Sequence, residues 1–466
     1  MNTHIHLHNF SFRHASRINP TLTDVNLTIR KGERVLVLGA SGSGKSTLLA
    51  ALAGVLGADE GDSVGTLEIN GVVGMVMQDP DSQVIASKVG DDIAFGCENL
   101  NVPADEIWPR VHRALELVGL NSPIEHATEE LSGGQKQRLA LAAILAMGAD
   151  IIVLDEPTAN LDPASVQEVV QAVESVVSQT QATVIVVEHR VATWQSVVDR
   201  AVVLEHGRIV ADDVLEKIVA EQGQALAQKG VWMPGWDPQF APMYPTTSPP
   251  EPAICTEGLM TGWNRPMREH TLEIPLGFST VITGPNGAGK TTLMLTLAGL
   301  LPAHGGTIKI HDHIAQGLKN PPIQWKSADL ARRVGYVFQD PEHQFVARTV
   351  REELLVGPKV RKLADASDED IARADEILQR LGLDHLALAN PFSLSGGQKR
   401  RLSVATTLIH TPRLIFLDEP TFGQDRNTFI ELVTLLRELT AKGSTVVSVS
   451  HDPLFVRAMA DFEVQL

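Results

Sequence analysis

An α/β protein built as two tandem, homologous halves is the fold class that this 466-residue sequence predicts. The first observation behind it is an internal repeat. Leu131–Asp162 reads LSGGQKQRLALAAILAMGADIIVLDEPTANLD, and Leu394–Asp425 reads LSGGQKRRLSVATTLIHTPRLIFLDEPTFGQD. In each copy a Ser-Gly-Gly turn launches an apolar helix, and a short β run then ends in Asp-Glu, with 23 residues from the Ser to the Asp both times. A long pattern kept at fixed internal spacing marks a repeated structural unit. The second observation is a strand, a glycine-rich loop and a helix upstream of each copy: GASGSGKST at Gly39–Thr47 and GPNGAGKTT at Gly284–Thr292. The third is the Pro-rich stretch Val231–Pro252, which breaks all periodicity between the two sets. These features predict a first domain over 1–230, a semi-extended linker over 231–252 and a second domain over 253–466.

Composition narrows the class. Hydrophobic content of 43% and aromatic content of 5% suit globular domains with sizeable cores. The longest apolar run, Leu139–Ala149, is far short of the roughly 20 residues that span a bilayer. The N-terminus MNTHIHLHNF lacks the pattern of a signal peptide, so a cytosolic location is expected. Cys97 and Cys255 fall in different halves with no metal-type spacing and read as incidental thiols. With 39 basic and 56 acidic residues the net charge is −17, which argues against broad nucleic-acid binding.

In chain order, alternation in HIHLHNFSF and LTDVNLTI predicts two opening strands. His4, His6 and His8 would share a solvated strand face, with a metal site as the less favoured reading because no Cys or carboxylate completes one. Arg34–Leu38 then forms a buried strand before GASGSGKST, and the apolar LLAALAGVL follows, the context that gives a GxxxxGK[ST] match its meaning. Glycines let backbone N–H groups and a helix N-terminus face phosphate, Lys45 reaches the β- and γ-phosphates, and the Ser46 hydroxyl suits Mg²⁺. Lys290 and Thr291 hold these places in the second half. Each loop is followed by a strand ending in Gln, at Gln78 and Gln339. The Lys-to-Gln spacing is 33 in the first half and 49 in the second, and the excess maps to a surface insertion near 315–327. Apolar residues at helical spacing (Ile107, Val111, Leu115 and Val118; Ile371, Ala374, Ile377 and Leu381) predict a small helical subdomain in each half. After the Asp-Glu pair, one more Val-rich strand ends in His189 or His451, at 33 and 32 residues beyond the Glu. A recurrence of that kind raises these histidines above an ordinary strand-end His.

Together the motifs resemble the nucleotide-binding domain of ATP-binding-cassette (ABC) proteins, twice over and across nearly the whole chain. The resemblance implies two tandem P-loop NTPase domains, each with a parallel RecA-like sheet, an antiparallel β subdomain and a helical subdomain. It implies ATP and Mg²⁺ as ligands. Gly39, Ser41, Gly42, Gly44, Lys45, Ser46 and Thr47 would form one Walker A loop. Gly284, Asn286, Gly287, Gly289, Lys290, Thr291 and Thr292 would form the other. Gln78 and Gln339 match the Q-loop glutamines, and Asp155 and Asp418 the Walker B aspartates; with Ser46 and Thr291 these make the Mg²⁺ set. Glu156 and Glu419 match the water-activating base, and His189 and His451 the switch histidine. Ser132, Gly133, Gly134 and Gln135, with Ser395, Gly396, Gly397 and Gln398, match signature turns that close over ATP held by the opposite domain, so the two halves would pair within one chain.

Gln-Asp-Pro-x-x-Gln occurs in both halves, at Gln78–Gln83 and Gln339–Gln344, and looks like the form in energy-coupling factor (ECF) ATPases. That implies a peripheral protein on the cytoplasmic face of the cell membrane, serving uptake of a vitamin, a vitamin precursor or a metal ion. Its partners would be a transmembrane T-type coupling protein and a substrate-binding S-type membrane protein, with no nucleic acid. The alternatives are a fused ATPase of another importer class, such as sugar uptake, and a soluble tandem ABC ATPase acting on ribosomes or DNA. Both halves keep Lys, Asp, Glu and His, against the first alternative; the short linker and acidic balance weigh against the second. The halves are nevertheless expected to be unequal. The place of the adenine-stacking aromatic holds Trp263 in the second half and His14 in the first. The loop after the Asp-Glu pair reads TANLD in the first half and TFGQD in the second, placing Gln424 where Leu161 stands and, in a head-to-tail pair, toward the Lys45 site.

Overall fold

The computed structural model describes residues 3–466 except 16–18, 41, 58, 160, 241–249, 320, 363–364, 410 and 422, and except the side chains of 360–362. The chain divides into two compact units, Met1–Asp237 with Asp425–Asn427, and Pro238–Gln424 with Thr428–Leu466. Residues 241–249 of the expected linker lie outside the described part. Val231, Trp232 and Met233, at its start, are buried in the first unit.

The first unit runs β1 (Thr3–His14), β2 (Leu22–Arg30), β3 (Arg34–Leu38), α1 (Lys45–Leu52), β4 (Gly61–Ile69), β5 (Val73–Val76), α2 (Val89–Asn99), α3 (Ala104–Leu117) and α4 (Gly133–Ala146). It continues with β6 (Ile151–Asp155), α5 (Pro163–Thr180), β7 (Thr183–Val187), α6 (Val191–Trp194), β8 (Arg200–Glu205), β9 (Arg208–Val214) and α7 (Leu215–Gln228). Strands β2-β1-β4 form an antiparallel sheet, and β5-β6-β7-β3-β8-β9 a six-stranded sheet, parallel except for the β8–β9 pair. The central strands are unbroken apolar runs because both faces are covered. In β3, Val35 and Val37 pack with the antiparallel sheet and α1, while Leu36 and Leu38 pack with the helices on the opposite face. Ile107, Val111, Leu115 and Val118 are all buried, so their helical stripe is core. Asp162 caps α5 by accepting from the Ala164 and Ser165 N–H groups, with Pro163 preset for the first helical position.

The second unit repeats the plan: β10 (Pro252–Thr261), β11 (Arg268–His270), β12 (Glu273–Pro275), β13 (Ser279–Thr283), α8 (Lys290–Leu297), β14 (Gly305–Ile310), α9 (Asp312–Ala315), α10 (Ser327–Arg333) and β15 (Val334–Val337). There follow α11 (Val350–Lys362), α12 (Asp368–Arg380), α13 (Gly396–Leu408), β16 (Leu414–Asp418), α14 (Arg426–Ala441), β17 (Thr445–Val449), α15 (Pro453–Met459) and β18 (Phe462–Gln465). Its parallel sheet has the order β15-β16-β17-β13-β18, and β10 pairs antiparallel with β11, β12 and β14.

Two expectations need correction. His4 does not share a solvated face with His6 and His8: its ring is buried and lies 2.8 Å from the Thr183 hydroxyl, at the edge of β7. Among the described residues no group of three or more His, Cys, Asp or Glu side chains is placed to hold a metal. The 315–327 insertion is not confined to the surface either. Ala315 and Trp325 are buried, Arg333 stands 5.9 Å over the Trp325 ring, and a Cβ on Gly299 would meet Pro322 at 2.6 Å. The insertion therefore packs against the base of α8, because its few apolar residues find that face open.

Candidate functional site

Topology alone brings the motif residues of each half together. In the first unit the carboxyl ends of the adjacent parallel strands β5, β6, β7 and β3 carry Gln78, Asp155-Glu156, His189 and the phosphate loop. The register aligns Val76 with Leu154, Asp155 with Val187, and Val187 with Val37. In the second unit, β15, β16, β17 and β13 do the same for Gln339, Asp418-Glu419, His451 and the loop before Lys290, with Asp418 level with Val449 and Val449 with Ile282. Loops at the carboxyl ends of adjacent parallel strands are where such sheets bind ligands.

The phosphate loops are tight. Gly44 starts α1 at φ 104, a left-handed conformation suited to glycine, and a Cβ on Gly39 would meet the Leu204 carbonyl at 2.3 Å. Lys45 is buried, and its Nζ donates to the Gly39 and Ala40 carbonyls at 2.9 and 3.1 Å. Burial lowers its pKa against the opposing pull of Glu156 and Asp155. Lys290 makes the matching bonds to the Gly284 and Pro285 carbonyls, both at 2.9 Å. Ser46 is exposed at the head of α1, and Thr291 hydrogen-bonds Asp418. Ser41 lies outside the described residues.

The carboxylates sit on strained backbone, which the sequence did not signal. Glu156 has φ 46 and Glu419 φ 49, left-handed values unusual for a side chain this long. Each is held by its own N–H donating to the neighbouring strand, to Val187 at 2.9 Å and to Val449 at 3.0 Å. Beyond that the halves diverge. Glu156 accepts from Gln78 Nε2 at 2.9 Å on one oxygen and lies 2.8 Å from His189 Nε2 on the other. Burial pushes its pKa up, but the His189 hydrogen bond and charge, with Lys45, win and hold it below the usual value. Glu419 is 3.7 Å from His451 Nε2, and its Oε1 has no hydrogen-bond partner. Burial, then repulsion from Asp418, raises Glu419 to about 7, and burial also raises Asp155, to about 6. Gln339 is exposed.

The signature turns are helix caps. Ser132 and Gln135 close a reciprocal capping box at the head of α4, as do Ser395 and Gln398 at the head of α13. These bonds run within each turn and do not bring it to the phosphate loop of its own half. Gln424 is buried and donates to the Gly397 carbonyl at 3.2 Å, and in the first half Leu161 packs at the other turn glycine, Gly133. His14 Nε2 lies 3.2 Å from the Thr47 hydroxyl, while Trp263 is 63% exposed.

Three further groups escaped the sequence reading. Glu188 is buried beside His189, where the second half has Ser450. Arg400 is buried with its guanidinium bonded to the Phe338, Gln339 and Asp418 carbonyls, and burial lowers its pKa to about 10. The first half has Gln137 there, donating to the Met77 carbonyl at 3.1 Å. The signal was available in the one-letter difference between LSGGQKQ and LSGGQKR. The third group, Trp232, carried no signal because it falls in the expected linker.

The family model described as ABC transporter matches residues 22–159 and 267–422. YkoD of Bacillus subtilis, provisionally named an HMP/thiamine import ATP-binding protein, is 36% identical over 492 residues, covering 97% of this chain and 87% of that one. VPA1482 of Vibrio parahaemolyticus, provisionally named an ABC transporter ATP-binding protein, is 31% identical over 499 residues, covering 96% and 85%. Among solved structures, the archaeal ribosome recycling factor aABCE1, in complex with the ribosomal stalk protein aP1, superposes with a TM-score of 0.62 at 22% identity, covering 98% of this chain and 87% of that one. At that identity the likeness is one of fold.

Proposed function

The chain belongs to the ABC transporter family, with two ATP-hydrolysing domains in one polypeptide, and from that premise we propose that it is the energy-coupling subunit of an ECF-type importer. It would work on the cytoplasmic face of the cell membrane with a transmembrane T-type protein and a substrate-capturing S-type protein. Among the described residues no helix is long and apolar enough to cross a membrane. The observation that carries the reading is the doubled QDPxxQ loop and what its residues do. Gln83 bonds both the N–H and the carbonyl of Met77, and Lys136 pairs with Asp81 at 2.5 Å. In the second half Gln344 accepts from Phe338 N–H and donates to the Ser403 carbonyl and the Thr406 hydroxyl, and Lys399 pairs with Glu342. In both halves a lysine of the signature helix thus ties the loop to that helix, with Gln344 adding two bonds in the second, so a load on the loop reaches the turn. The name of the 36% identical relative supports HMP or thiamine as the class of cargo. Replacing Ser82 by Lys and His343 by Glu is expected to lower uptake of labelled HMP or thiamine in cells by about tenfold, the effect of losing about 1.4 kcal/mol of coupling. ATP binding should stay within about twofold. Unchanged uptake would mean that these loops do not receive the transmembrane partner.

In the chemistry proposed, Glu156 and Glu419 accept a proton from the attacking water while Lys45 and Lys290 hold the γ-phosphate. The residues fit Mg²⁺: a hard cation takes oxygen ligands, and Asp418 Oδ2 is buried with no hydrogen-bond partner. Ser46, Asp155 and Gln78, or Thr291, Asp418 and Gln339, would hold it, and when bound it neutralises charge on the β- and γ-phosphates. A signature turn at a helix N-terminus offers N–H donors to the same phosphate, and each turn is proposed to serve the other half's loop. Glu156→Gln and Ser395→Ala should then be strongly non-additive in steady-state ATPase rate, whereas Glu156→Gln and Ser132→Ala should combine additively. Equal coupling of Glu156 to both serines would sink the pairing.

A further inference from the structure

We propose that Trp232 and Glu188 are positioning residues that hold His189 on Glu156 in the first half, an inference that rests on the ATPase reading of that half. The backbone N–H of His189 donates to Glu188 Oε1 at 2.7 Å, and the other Glu188 oxygen accepts from the Thr158 hydroxyl, in the loop after Glu156. On the other side, Trp232 N–H donates to the His189 carbonyl at 3.2 Å, and Val191 N–H donates to the Trp232 carbonyl at 3.2 Å. These two bonds make a short parallel bridge between Trp232 and Arg190. The Arg190 guanidinium lies 4.9 Å from the centre of the Trp232 ring, and only 6% of Trp232 is exposed. The start of the segment that joins the halves is therefore fastened to the histidine's loop by a single β-bridge. Main-chain bonds on both sides of residue 189 fix the backbone from which its ring places Nε2 2.8 Å from Glu156 Oε1.

The second half is built differently at the same place. Ser450 replaces Glu188, and its hydroxyl accepts from Asp452 N–H at 3.1 Å. The His451 N–H reaches Glu419 Oε2 at 3.4 Å, and the ring stands 3.7 Å from Glu419 Oε1. A fully buried carboxylate costs stability unless it is well bonded, so Glu188 is a costly way to fill space and an effective way to fix two loops at once.

The test uses the full chain carrying Glu419→Gln, so that turnover reports the first half. Trp232→Ala and Glu188→Ala should each lower kcat about tenfold, with KM for ATP changed less than about twofold. Trp232→Phe, which keeps the buried ring under Arg190, should restore most of the rate. In a His189→Ala background, Trp232→Ala should add less than about a further 1.5-fold, because it acts through that histidine. Should Trp232→Ala unfold, Arg190→Met removes the cation and leaves the ring, and about a threefold loss of kcat at constant KM is expected. If Trp232→Ala and Glu188→Ala leave kcat unchanged, or if their losses add in full to that of His189→Ala, the proposal is overturned while the ATPase reading stands. If His189→Ala has no effect, or the Glu419→Gln chain turns over no faster than the Glu156→Gln/Glu419→Gln chain, both fall together.

Discussion

Glu419→Gln is expected to remove the larger share of steady-state ATP turnover, about four-fifths, and Glu156→Gln the smaller; the two together should lower the rate by about 10²-fold or more, the usual contribution of a general base. The inequality follows from how each carboxylate is held. Both oxygens of Glu156 are engaged, one by Gln78 and one by His189, and its pKa lies below the ordinary value. A base with a depressed pKa accepts a proton less readily in the transition state. Glu419 has an oxygen without a hydrogen-bond partner, and burial with Asp418 beside it puts its pKa at about 7, near the optimum for a base at neutral pH. Trp263 adds a broad exposed face where the first half has only the His14 imidazole, worth on the order of 1 kcal/mol in stacking. Phosphate release by the single and double variants measures it. Equal losses, or a larger loss at Glu156, would show that the first half does the greater part of the work.

The same two substitutions should move stability in opposite directions. Without nucleotide or Mg²⁺ at pH 8, Glu419→Gln is expected to raise the melting temperature by about 5 °C, and Glu156→Gln to lower it. Because the folded-state pKa of Glu419 is raised from 4.5 to about 7, its contribution is fully present below pH 4.5 and lost as pH climbs through 7. At pH 8 the buried charge costs up to about 3 kcal/mol, which the neutral amide avoids, and the gain should fall to about a quarter of that by pH 5. Glu156 has the reverse sign: its lowered pKa makes the charged form stabilising above the ordinary carboxylate range, and the amide gives that up. Thermal scans at pH 5 and pH 8 separate the two. A gain for Glu419→Gln that is undiminished at pH 5 would mean relief of crowding and not of charge.

Much of this site was legible because its chemistry is tied to local patterns. A glycine loop between a buried strand and a helix, or Asp-Glu at the end of an apolar run, can be read one segment at a time, and the parallel order of the strands then brings the segments together. What was not legible depended on contacts between segments distant in sequence. His4 looks solvated in the alternation of β1 and is buried because β7 ends against it. Trp232 lies in a stretch whose prolines signal only a connector, yet three of its residues pack into the first unit. The backbone at Glu156 and Glu419 could not be foreseen either, since left-handed geometry at a glutamate has no sequence mark.

That geometry bears on how such a chain evolves. A glutamate held at φ 49 at position 419 carries local strain of about 1–3 kcal/mol. Glycine and asparagine relax that conformation, so mutational drift away from glutamate is favoured by folding and opposed only by selection for turnover. In a lineage where the second half no longer needed to hydrolyse ATP, this codon should be among the first to change, and fused pairs with one silent half would arise along that path without loss of the fold.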